Sequence, residues 1–122
     1  SKNQNSNNLM ETINNHNGEI IFRKDNFDVF KNQGELIGNH YASDVIEQLK
    51  IQNTIVYGVA LDVCVDFAVN GLLDRGINVY AIKDCMKEIN PNNTKQILKN
   101  WETKGAKVIS LEDVITNNIN LK

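Results

Sequence analysis

The side chain best placed to do chemistry is Cys64, within the run GVALDVCVDFAVNGLLDR that extends from Gly58 to Arg75. The pattern puts it in the first turn of a helix. Backbone N–H groups there lack helical partners and carry the positive end of the helix dipole, so they favour a thiolate and can also hold an oxyanion. That is the setting of a nucleophile. Asp62 and Asp66 flank the cysteine by two residues on either side, and their charge opposes thiolate formation unless a cation is close. The competing reading is a small buried hydrophobe, since cysteine outside disulfides is among the most often buried residue types. Position alone leaves both readings open.

The elements that must position Cys64 follow from the periodicity around it. Thr54 to Val59, TIVYGV, is β-branched and aromatic without charge, the pattern of a central parallel strand covered on both faces. Gly58 interrupts the run near its end. From Leu61 the period changes, with Val65, Ala68, Val69 and Leu72 on one face of a helix and Gly76 as its stop. Cys64 then lies just past the carboxyl end of the strand, where open α/β sheets place their ligands.

The rest of the chain supplies the neighbours. Residues 1–18 are rich in Asn and Ser and read as loop, and EIIFR, Glu19 to Arg23, as a short strand ending at Lys24. Phe27, Val29 and Phe30 follow without a clean period, in a loop folded over the sheet edge. Ala42 to Lys50 is a helix with Val45, Ile46 and Leu49 on its apolar stripe. INVYAI, Ile77 to Ile82, is a second apolar strand ending at Lys83 and Asp84, with Asp84 bracing the turn beyond it. Asn90 and Pro91 start a helix carrying Ile97, Leu98 and Trp101 on its core face, which stops at Lys104 and Gly105. Lys107 to Ile109 is a last short strand, and Ser110 with Asp113 forms a capping box for a final helix. The alternation predicts an α/β class, with a parallel sheet, four visible strands and helices on both faces.

The 122 residues suit a single domain, and a net charge of -2 gives no field for nucleic acid. No apolar run is long enough to span a bilayer and the amino end is polar, so no membrane partner is expected and a cytoplasmic setting is the default. Cys64 and Cys85 are too few for a disulfide scaffold and read as reduced thiols, Cys85 as a packed one. His16 and His40 are isolated and read as loop or surface residues rather than metal ligands. No glycine-rich phosphate loop is present.

The run from Gly58 to Asp84, GVALDVCVDFAVNGLLDRGINVYAIKD, with RKDNFDVF upstream of it, resembles the isochorismatase-like cysteine hydrolases, the superfamily that includes nicotinamidases. The resemblance covers the chain from about residue 19 to the last helix. It implies a three-layer, Rossmann-like parallel sheet and a cysteine, here Cys64, that attacks an amide carbonyl to form an acyl-enzyme which water then hydrolyses. Lys24 matches the catalytic lysine of the family and would supply the cation that offsets Asp62 and Asp66. The family's cis peptide before the nucleophile turn matches the bond between Val59 and Ala60, which would aim the N–H of Ala60, with that of Cys64, at the oxyanion. Phe27 and Phe30 would line a pocket for a planar ring, or pack in the core.

The departure is as informative. The family's catalytic aspartate lies on a first strand before the lysine strand, and no aspartate precedes Asp25 here. Asp25, Asp28 and Asp62 do not replace it well. The metal-binding residues of some nicotinamidases belong to the same region, so this chain supplies no cofactor site, and zinc enters only with that region. The resemblance therefore implies the carboxyl-terminal part of such a hydrolase, weak or inactive alone, whose partner is the missing amino-terminal segment or a second polypeptide. An exposed sheet flank would also promote a homo-oligomer. A catalytically inactive homologue or subunit that serves protein interaction is the alternative, and a small ligand-binding α/β domain with Cys64 merely buried is a third.

Overall fold

The structure, a computed structural model, describes residues 22, 24–31 and 42–116. The chain divides into two units, Ser1–Ile51 and Gln52–Lys122. In the first, Lys24 to Lys31 is irregular and turned, with the Asp28 side chain accepting from the Phe30 N–H at 2.9 Å. Helix α1, Ala42–Gln48, follows, with Ala42 and Val45 buried. Of the expected strand Glu19 to Arg23, only Phe22 lies among the described residues.

The second unit holds the parallel sheet. Strand β1 is Asn53–Val59, β2 is Asn78–Lys87 and β3 is Lys107–Ile109, in the order β1-β2-β3 with both pairings parallel. After β1 comes a wide helical turn, Leu61–Val65, that runs into α2, Asp66–Asp74. A short 3-10 turn, Pro91–Asn93, leads into α3, Thr94–Thr103, and α4, Leu111–Ile115, closes the described chain. The fold is α/β with crossover helices between successive parallel strands.

The core is built where the patterns meet. Val79, Tyr80, Ala81 and Ile82 are consecutive and all buried, so β2 is covered on both faces. Val65, Val69 and Leu72 are buried on the helix that follows β1, and Trp101 of α3 is fully buried. The expected stops are present: Gly76 and Gly105 take φ of +73° and +106° after their helices. Ser110 and Asp113 make the capping box reciprocally.

Two expectations are corrected. Among the described residues β1 has a hydrogen-bonded neighbour on one side only, and Ile55, Tyr57 and Val59, alternate along it, are exposed. Among the described residues β2 is the middle strand. Continuous apolarity marks a strand that packs well but does not say how many edges are paired. The second correction concerns length, because β2 runs on past Lys83 and Asp84 to Lys87. Its register against β1 shifts between Val56↔Ala81 and Gly58↔Met86. The charged residues that looked like an end sit on the irregular stretch, where the strand bends instead of stopping.

Candidate active site

β1 delivers the chain to the turn that carries Cys64 through two backbone features. Gly58 has φ of +132°, a conformation that L side chains rarely adopt, and the Val59–Ala60 peptide bond is cis. The turn that follows is wider than an α-helical one: the Val65 N–H reaches back five residues to the Ala60 carbonyl at 3.1 Å, as the Val63 N–H does over three. Such π-type turns recur at functional sites. Ala60 contributes no side-chain cap, so no capping side chain of its own covers the start of this turn. Cys64 lies within it, half-buried and not in a disulfide.

The two flanking aspartates are drawn into hydrogen bonds with other elements. The Asp62 carboxylate accepts from the backbone N–H groups of Ile89 at 2.9 Å and Asn90 at 2.8 Å, just beyond β2. These two bonds, Ile89 first, hold its pKa below the ordinary aspartate range against a smaller opposing effect of desolvation. Asp66 accepts from the Trp101 indole N–H at 2.6 Å and from the Asn70 amide at 2.9 Å. The Lys104 ammonium in turn donates to the Asn70 side-chain oxygen at 2.7 Å. The sequence singles out these aspartates by their spacing around Cys64. Apart from Asn70, four residues from Asp66, their partners lie 27 to 35 residues away and have no local signal.

A third aspartate works in the same way. Asp84 accepts from the Leu111 N–H at 2.8 Å and so ties β2 to the start of α4, a longer reach than the turn it was expected to brace. Cys85, beside it, is half-buried.

In the other unit, Lys24 is exposed and its ammonium donates to the carbonyls of Asn26 at 2.9 Å and Phe27 at 3.3 Å. Phe27 is exposed and Phe30 half-buried. His16 and His40 lie outside the described residues. Among those described, no group of three or more His, Cys, Asp or Glu side chains could hold a metal ion. No described helix is long and apolar enough to cross a membrane.

The family profile described as "Isochorismatase domain" matches residues 1–113, which extends the likeness into the amino-terminal residues before position 19. No curated protein matches. Among solved structures, the nicotinamidase/pyrazinamidase of Bacillus subtilis aligns with a TM-score of 0.64 at 15% identity, over 84% of this chain and 52% of that one. The nicotinamidase/pyrazinamidase of Acinetobacter baumanii gives 0.53 at 25% identity, over 59% and 35%. A pyrazinamidase of Pyrococcus horikoshii in complex with zinc gives 0.53 at 23%, over 57% and 38%. The matched part thus spans about half or less of each of these chains.

Proposed function

The chain belongs to the isochorismatase family, and from that premise we propose that it is a cysteine hydrolase of a small amide, nicotinamide-like by preference, acting through Cys64. The observation that carries this reading is the placement of Cys64 in the uncapped, wide turn at the carboxyl end of a parallel strand. In the proposed reaction the thiolate attacks the amide carbonyl carbon and a C–S bond forms. The oxyanion is held by the N–H groups of Ala60 and Cys64. The amide nitrogen takes a proton and leaves as ammonia when the C–N bond breaks. Water then cleaves the thioester, releasing the acid and restoring the thiol. Lys24 is assigned the cation that favours thiolate, and Phe27 and Phe30 the wall against the ring.

Proton transfer requires a general base, and the sequence has no aspartate before Asp25. Asp62, Asp66 and Asp84 are occupied by the hydrogen bonds described above. We therefore propose that the carboxylate comes from a companion segment or a second polypeptide, and that the chain alone turns over slowly. The nicotinamidase and pyrazinamidase activities named for the solved relatives support the choice of amide. A second reading, an inactive homologue or subunit that serves interaction, draws on the same lack of an aspartate before Asp25.

The test is ammonia release from nicotinamide and pyrazinamide, with intact-mass detection of an acyl adduct. Adduct and release should both appear and both vanish in Cys64→Ala. Release that persists in Cys64→Ala refutes the cysteine mechanism. A folded wild-type chain that yields neither adduct nor ammonia favours the second reading.

A further inference from the structure

We infer that Trp101 is a positioning residue for Cys64: its indole N–H takes up the Asp66 carboxylate and so fixes both the start of α2 and the direction of that charge. The inference rests on Cys64 being the reactive thiol. Trp101 is fully buried, and its indole carries a polar N–H into that interior. A buried indole N–H needs an acceptor, and here the acceptor is a carboxylate, at 2.6 Å, two residues from the nucleophile. Helical geometry puts residues two apart at roughly 5–6 Å between Cα atoms with their side chains on different faces, so the carboxylate acts on the thiol through its field and not by contact. At that range an unengaged carboxylate disfavours thiolate.

The bond does not act alone. The same Asp66 oxygen accepts from the Asn70 amide, and Lys104 donates to the other end of that amide, so a cation is relayed toward the carboxylate. Trp101 on α3 and Lys104, which caps that helix's carboxyl end, are three residues apart and share a face; Asp66 and Asn70 are four apart on α2. One helix thus presents an indole donor and an ammonium to the other helix's carboxylate and amide. On the opposite side of Cys64, Asp62 is taken up by the N–H groups of Ile89 and Asn90. Both charges beside the thiol are turned into ties to other elements.

The experiment is alkylation of the intact chain by iodoacetamide near neutral pH, with Cys64 and Cys85 followed separately by peptide mass. Trp101→Phe keeps an aromatic ring in the core and removes the donor. It should slow Cys64 by roughly three- to tenfold while Cys85 keeps its rate. Trp101→Phe combined with Asp66→Asn should restore Cys64 to at least the wild-type rate, because the released charge is gone. A merely structural role predicts that both cysteines speed up together and that the second substitution does not rescue. Asn70→Ala leaves the core intact and serves where Trp101→Phe fails to fold; it should slow Cys64 alone by about two- to threefold. An unchanged ratio of Cys64 to Cys85 in either folded variant, or no rescue by Asp66→Asn, overturns the inference. Because each rate is compared with wild type, the result holds whether or not the chain hydrolyses nicotinamide.

Discussion

Gly58→Ala isolates the backbone's part in delivering Cys64. A Cβ built at Gly58 would meet only the Val65 Cγ2 methyl, at 3.9 Å, an ordinary contact, so crowding contributes little. The cost lies in φ, which at +132° is beyond the small left-handed well open to other residues. Holding alanine in such a region costs about 3 kcal/mol, and the smaller freedom of its unfolded chain returns roughly 0.7 kcal/mol. The net loss is about 2 kcal/mol, a roughly thirtyfold fall in the ratio of folded to unfolded chains. Gly76→Ala is the matched control, since its φ of +73° lies near the left-handed well and nothing stands within 4 Å of the added Cβ. The same sum there comes to about 0.5 kcal/mol. Urea unfolding of both variants measures the difference as a shift in midpoint at constant slope. If Gly58→Ala costs no more than Gly76→Ala, the conformation of the strand end is not imposed by the fold and the reasoning fails.

Two further outcomes test the ties around the site. Ser110→Ala removes half of the capping box and should destabilise the chain by about 1 kcal/mol in the same assay; no loss would mean that α4 is not held by its cap. Asp62 has a folded pKa below its ordinary value of 3.8, so its contribution is fully present above that value and is lost as the pH falls below it, through the folded pKa. The stability advantage of wild type over Asp62→Asn, followed by urea unfolding at a series of pH values, should therefore stay level down to about pH 4 and shrink in stronger acid. An advantage that grows on acidification would refute the assignment of these bonds.

The elements that local patterns specify were legible. The helix face Val65, Val69, Leu72, the stops at Gly76 and Gly105, the Ser110 capping box and the strand Lys107–Ile109 all depend on residues within one or two turns of each other, and each is present. The position of Cys64 was legible for the same reason, since a change of period from strand to helix fixes what stands at the junction. The exposure of Ile55, Tyr57 and Val59 on β1 was not, because an uncharged run says which side chains can be buried, while what covers them comes from elsewhere in the chain. The length of β2 was missed because Lys83 and Asp84 read as an end, while the bend in its register gives Asp84 a partner in Leu111.

The aspartates carry the sharpest lesson about sites. From the sequence Asp62 and Asp66 are charges set against the thiolate, a cost that Lys24 was expected to offset. In the fold each is already committed: Asp62 to two backbone N–H groups, Asp66 to an indole and an amide. A carboxylate held by donors repels a neighbouring thiolate less than one facing it bare, because the donors' positive ends lie between its charge and its surroundings. Most of the donors that hold these two carboxylates are on the loop after β2 and on α3, far along the chain, where spacing cannot point to them. The position of Cys64 is written locally; the partners of the aspartates on either side of it in sequence are written largely in tertiary contacts.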